Sequence, residues 1–163
     1  MKFAAALSAA VLVTALGAGH ARAATDDSSF VSTAQSDILG QYALAALARS
    51  KASNPTAKSL ANDIATNADS ANTWLKKYAA SHNVTLKNQP GVRSSSQYGE
   101  LQGSSGSSFD KTFAEDINVD TQMELGDFQD AASSASDPQL KAFAKKEVAE
   151  LQRFSSEAQK IAH

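Results

Sequence analysis

The feature that most constrains this chain is a phrase written twice. Ser53-Asn54-Pro55-Thr56-Ala57-Lys58-Ser59-Leu60-Ala61 returns 83 residues later as Ser136-Asp137-Pro138-Gln139-Leu140-Lys141-Ala142-Phe143-Ala144. Each copy sets a side chain that can accept a hydrogen bond in front of a proline. Proline is tolerated at the first helical position because its missing N–H would have had no partner there. Each phrase therefore starts a helix, and each junction is short enough to make that helix an antiparallel neighbour of the one before it. Helix starts are stereotyped, so a chance likeness of two of them is the alternative to a true repeat. The same order of residues in both copies points further, to two similar hairpins related by a pseudo-two-fold axis.

Apolar periodicity fills in the hairpins. Phe30, Ala34, Ile38, Ala45 and Ala48 recur at helical spacing behind the capping candidates Ser28 and Ser29, which predicts a helix over about 28–52. Ala57, Leu60, Ala61, Ile64, Ala68, Ala71, Leu75 and Tyr78 carry a second over 55–81. Phe109, Phe113, Ile117, Thr121, Leu125, Phe128 and Ala132 mark a third over 108–134, and Leu140, Phe143, Ala144, Val148, Leu151 and Phe154 a fourth over 138–161. Between the pairs, residues 83–107 hold Pro90-Gly91, Ser94-Ser95-Ser96 and the run from Gly103 to Ser108, and read as a loop with room for one helical turn near Gln97 to Gln102. A connection this long is explained if it travels the length of a bundle, as in ferritin-like topologies. The expected fold is all-α: a four-helix bundle of two hairpins joined by a long crossover loop.

The start of the chain predicts export. Lys2, an apolar stretch from Phe3 to Val13 and the small-x-small ending Ala21-Arg22-Ala23 have the form of a secretory signal peptide over residues 1–23, cut after Ala23. The apolar stretch is too short to span a bilayer, and no longer one follows. No cysteine is present for a lipid anchor or a disulfide. Residues 24–163 are then expected as a single periplasmic or secreted domain without an integral membrane segment. Removing Lys2 and Arg22 from the 15 basic residues leaves 13 against 17 acids, a formal charge of −4. That balance argues against nucleic acid, which rewards a concentrated basic surface.

The mature stretch also resembles a known family. Phe30 and Ala34, Leu47-Ala48 with Ala52-Ser53-Asn54-Pro55, Ala71-Asn72 with Leu75, Phe109-Asp110 with Phe113, Phe128 with Ala132, and Asp137-Pro138 with Leu140 to Ala144 occur in order and at matching spacings from Phe30 to about Ala158. In these residues the chain resembles the bacterial domain-of-unknown-function family 4142, whose exported members are ferritin-like helical bundles, with a loose link to stress. The resemblance implies a ligand-like set that this chain has lost. Where the family commonly carries a glutamate in helix one, here stands Gln41. Its Asp-His pair in helix two is Asn67-Ala68, that in helix three is Asp120-Thr121, and its Leu-Pro-x-Leu-x-x-His segment ends here in Phe154. Gln41, Ala68, Thr121 and Phe154 do not make a metal shell, which needs carboxylates and imidazoles converging from facing helices.

The remaining inventory is sparse in chemistry. His82 stands at a helix end and His163 is the last residue; neither has a histidine or cysteine partner at ligand spacing, and both are expected as exposed terminal residues. No Gly-x-Ser-x-Gly, phosphate-cradling loop or His-Glu-x-x-His occurs, and the serines have no base to activate them. Glu115, Asp116, Asp120, Glu124 and Asp127 cluster on the third helix. The plain expectation is solvated flanks facing a polar gap; the sharper one is a weak cation patch at Asp116, Asp120 and Glu124. Trp74 and Tyr78, on successive turns, are expected in the core, with a partner-binding patch as the alternative. The functional expectation is a non-enzymatic periplasmic structural or interaction protein with a protein partner and no cofactor; the alternative is a metal-binding or redox-active ferritin-like bundle.

Overall fold

A computed structural model describes residues 18–163, with side chains from Asp27 onward. It contains five helices, α1 (Ala18–Lys51), α2 (Pro55–His82), α3 (Val92–Gly103), α4 (Gly106–Ser134) and α5 (Pro138–Ala162), and no strand among the described residues. The fold is all-α. The predicted leader, residues 1–23, lies for the most part outside the described residues.

The repeated phrase starts helices as its chemistry requires. Asn54 has extended backbone and its side chain accepts from Thr56 N at 2.8 Å, while Asp137 does the same for Gln139 N at 2.6 Å and Leu140 N at 3.2 Å. At its far end α2 stops on Asn83, whose left-handed φ of 56° turns the chain out of the helix. Two expected bounds differ. Ser28 and Ser29 lie inside α1 rather than capping it, because Ala21, Ala23 and Ala24 favour carrying the helix back past them and no proline interrupts it. Residues 83–107 are not simply a loop, for α3 occupies twelve of them. Its glycine and serine content argued for coil, but Ser94, Gln97, Tyr98 and Leu101 share one face, and burial of Gln97 and Leu101 outweighs weak propensity.

The helices pack around two apolar clusters stacked along the bundle. One unites the C-terminal half of α1 (Leu44, Ala48), the start of α2 (Leu60, Ile64), Leu101 of α3, the start of α4 (Phe109, Phe113, Ile117) and the end of α5 (Phe154, Ala158). The other unites the earlier part of α1 (Val31, Ile38), the end of α2 (Leu75, Tyr78), the end of α4 (Phe128) and the start of α5 (Leu140, Phe143). α1 is therefore antiparallel to both α2 and α4, and α2 and α4 run the same way. Only a chain that recrosses the bundle can join them, and α3 makes that crossing beside α1. Ser36 Oγ donates to Gln89 O at 2.9 Å near its start and Lys51 Nζ to Gln102 O at 2.6 Å near its end. The approach is close midway, where a Cβ on Gly40 would overlap the Ser94 side chain.

The pseudo-two-fold relation is visible in the hairpin turns. Asp110, at the start of α4, accepts from Ser53 N and Asn54 N at 2.9 Å each and from Ser53 Oγ. Asp27, 83 residues earlier, accepts from Ser136 N at 3.1 Å and Ser136 Oγ at 2.6 Å. Each half of the chain thus supplies an aspartate that ties down the turn of the other half.

Candidate functional site

Between the two apolar clusters, α1 and α4 carry a polar layer, and α3 lies over it. Gln41 of α1 donates Nε2 to Glu124 Oε2 of α4, with both side chains buried. One turn earlier on α4, Asp120 is 2% exposed and receives Gln97 Nε2 at 3.2 Å and the Arg93 guanidinium at 3.3 Å, both from α3. A further turn back, Asp116 Oδ1 lies 3.4 Å from the same Gln97 Nε2. Asp37 of α1 stands half-buried beside this group.

Four carboxyls against one guanidinium leave negative charge in a poorly solvated place, and the protonated forms are favoured accordingly. Burial pushes Glu124 well above the ordinary glutamate range, with the charges of Asp37 and Asp120 adding to it and Arg93 and Gln41 opposing. Burial, then the Asp127 charge, pushes Asp37 up to about 6. Burial, then the Asp120 charge, does the same for Asp116, also to about 6. Asp120 is raised by burial, with Gln97 and Arg93 opposing. The expectation of solvated flanks is thus corrected for Asp120 and Glu124. For Asp120 the reason is α3, which read as coil left this face of α4 open to water and as a helix sets Arg93 and Gln97 on it; Glu124 is met instead by Gln41 of α1.

The residues that the resemblance marked are placed as follows. Thr121 is buried, and its Oγ1 donates to Ile117 O at 2.8 Å and Asn118 O at 3.1 Å of its own helix. Ala68 packs in the second cluster and Phe154 in the first. The Arg153 guanidinium covers the Phe154 ring at 4.7 Å from its centroid. Of the four, only Gln41 is brought to a carboxylate. Among the described residues no group of three or more His, Cys, Asp or Glu is set to hold a metal ion.

His82 is not a bare helix end. Its Nε2 lies 3.2 Å from Asp137 Oδ2, its Nδ1 lies 2.9 Å from Tyr78 O, and its ring stacks on Tyr78 at 3.9 Å. That stack continues inward, Tyr78 on Trp74 at 5.1 Å and Trp74 on Phe143 at 4.1 Å, so the aromatic pair on α2 is packed against the second cluster. His163 is exposed at the chain end. Asp37, Arg93 and Gln97 escaped the sequence reading. For the two on α3 the one available signal was the spacing of Ser94, Gln97, Tyr98 and Leu101, which repeats at i, i+3, i+4 and i+7; Asp37 had none.

Among the described residues no helix is long and apolar enough to cross a membrane. A family model described as "Domain of unknown function (DUF4142)" matches residues 13–161. No curated protein and no solved structure matches significantly.

Proposed function

The chain belongs to the DUF4142 family, and on that premise we propose that it is an exported, non-enzymatic scaffold that works in the periplasm by binding another protein. Its bundle is ferritin-like in connectivity, two hairpins joined by a chain that recrosses the bundle, with the family's ligand positions given over to packing. The observation that carries this reading is Phe154. Where the resemblance implies a histidine, a fully buried aromatic ring fills the core between α1, α2 and α4. An aromatic hydrocarbon cannot coordinate a metal or move a proton. Thr121 and Gln41 support the same reading, since their polar atoms are engaged within the bundle.

The rival is a metal-binding or redox bundle, and it draws on Glu124, a carboxylate turned to the middle of the bundle. Two measurements decide between them. Cross-linking in intact cells, followed by mass spectrometry of the periplasmic fraction, is expected to recover a chain cut after Ala23 joined to one protein partner at stoichiometric yield. Elemental analysis of the purified protein, after dialysis against iron, zinc and manganese, is expected to show less than one metal per chain. A full-length, membrane-bound chain overturns the exported reading. One tightly held metal per chain establishes the rival.

A further inference from the structure

Gln97 is the side chain through which the middle of α3 grips α4. Its Nε2 lies 3.4 Å from Asp116 Oδ1 and 3.2 Å from Asp120 Oδ1. The two oxygens left over on the Gln97–Asp116 pair, Gln97 Oε1 and Asp116 Oδ2, are buried and have no partner, and Gln97 as a whole is only 8% exposed. Both orphans are acceptors. What is missing is a donor between α3 and α4, and buried acceptors without one are costly.

An amide beside a carboxyl group can supply the missing bond in one way. Against a carboxylate it makes N–H···O alone; against a carboxylic acid it makes N–H···O and receives O–H···O in return. We propose that Gln97 and Asp116 form a proton-operated latch: a proton on Asp116 closes α3 onto the α1–α4 seam through two hydrogen bonds, and its loss releases the middle of the helix.

The surroundings favour a proton at this place. Asp116 is pushed up to about 6, by burial first and then by the Asp120 charge, with Glu100 of α3 and Glu115 of α4 acting in the same direction and Gln97 against them. Arg93 of α3 faces Asp120, and Lys87 in the preceding segment acts on Asp37. From α1 come Asp37 and the neutral Gln41, and from farther along α4 Glu124 and Asp127. On the α2–α5 side, Glu147 is already met by Asn67 at 2.7 Å and Lys146 at 3.0 Å. A cation would have to displace amide donors, because Gln41 and Gln97 both point N–H groups at the carboxyls.

The direction of the switch follows from the raised value. The closed form gains fully below the ordinary aspartate range near 3.8 and loses that gain as pH rises through about 6. Between pH 5 and pH 8 the Asp116 contribution to the closed-to-open ratio of α3 falls about tenfold. Release is local, since Ser36 and Lys51 hold the chain at either side of the latch.

Hydrogen exchange of the full chain, read on peptides from 92–103 and corrected for the intrinsic rate at each pH, tests the latch. The expected result is about a tenfold loss of α3 protection from pH 5 to pH 8. Asp116→Asn keeps two hydrogen bonds at any pH and is expected to abolish that loss, while Gln97→Leu is expected to leave α3 poorly protected at both. Carbon NMR of the wild-type Asp116 carboxyl, which needs no variant to fold, is expected to titrate near 6. Protection that is flat with pH, full pH dependence in Asp116→Asn, or a carboxyl midpoint below 4 overturns the proposal. So does recovery of protection at pH 8 on adding magnesium or calcium chloride alone, which would make the missing partner a metal ion.

Discussion

Gln41 donates its side-chain amide to Glu124 across the bundle, and the two residues stand 83 apart, the interval of the repeated hairpin. Each therefore holds in its own half the place the other holds in the opposite half. One of the two equivalent positions is an amide and the other an acid, so the pair needs no shared proton to meet. Glu124 is nonetheless raised by burial, and a raised acid contributes stability below its ordinary range and loses it as pH rises through the folded value.

Glu124→Gln is accordingly expected to stabilise the protein by about 1–3 kcal/mol at pH 8, as neutral replacement of a buried charge often does. At pH 4, where the acid is protonated, the change should be close to nothing. Gln41→Glu should act in reverse, lowering stability at pH 8 and much less at pH 4. Thermal melts at both pH values check the pair; a lower melting temperature for Glu124→Gln at pH 8 would show that the negative charge is used in the fold.

The aspartates that tie the turns are equivalent by the repeat but not by environment. Asp110 is buried and accepts from two backbone N–H groups and a hydroxyl, whereas the bonds that Asp27 makes to Ser136 are exposed. Asp110→Ala leaves three part-buried donors without their acceptor and is expected to cost about 1–3 kcal/mol, while Asp27→Ala should cost under about 1 kcal/mol because water replaces it. Denaturant unfolding of the two variants would reveal the difference. Equal costs would mean that the turns, not their burial, set the energy.

A similar inequality separates the two caps. Asn54 takes one backbone N–H, whereas Asp137 takes two and also pairs with His82 at 3.2 Å. Within the usual 0.5–2 kcal/mol for losing a helix cap, Asn54→Ala is expected toward the lower end and Asp137→Ala toward the upper. Burial alone would raise Asp137, but the Gln139 and Leu140 N–H groups and His82 together outweigh it and lower the carboxyl, so its contribution is present above the ordinary aspartate range and fades as pH falls through its folded value. Melts at pH 7 and pH 3 are expected to show a large gap between Asp137→Ala and wild type at the first and a small one at the second.

These cases also show why some of the architecture was legible in the sequence and some was not. Cap chemistry is local: Asn54-Pro55 and Asp137-Pro138 announce helix starts without reference to the rest of the molecule. The apolar stripes are nearly as local, which is why Ile64, Phe113 and Phe154 were expected in the core where they are found. α3 depends on what it lies against. Its serines and glycines favour coil, and only the docking of Gln97 and Leu101 on α1 and α4 reverses that preference. Asp120 follows from α3 and Glu124 from Gln41 of α1, since a carboxylate reads as solvated until something covers it. Asp27 and Asp110 were hidden for a different reason. Each acts on the opposite half of the chain, and no local pattern reports such a contact.

Phe154 gives the last test, of whether the family's ligand position has become ordinary core. The ring is fully buried in the cluster with Phe109, Phe113 and Ile117, and Arg153 closes over it from the surface side. Burying such a side chain contributes about 1.5–3 kcal/mol, and truncating it also leaves a void, so Phe154→Ala is expected to cost about 3–5 kcal/mol. Phe154→His should be destabilising as well, because an imidazole there has no polar neighbour among the cluster residues, and it should not confer metal binding. Ala68 lies in the other cluster and Thr121 spends its hydroxyl on its own helix, so a single histidine would stand alone. Thermal melts of both variants, with elemental analysis of Phe154→His after dialysis against zinc, check this. A zinc-loaded and stabilised Phe154→His would mean that Gln41, Glu124 and their neighbours can still close around a metal, and that the position is one substitution away from a site.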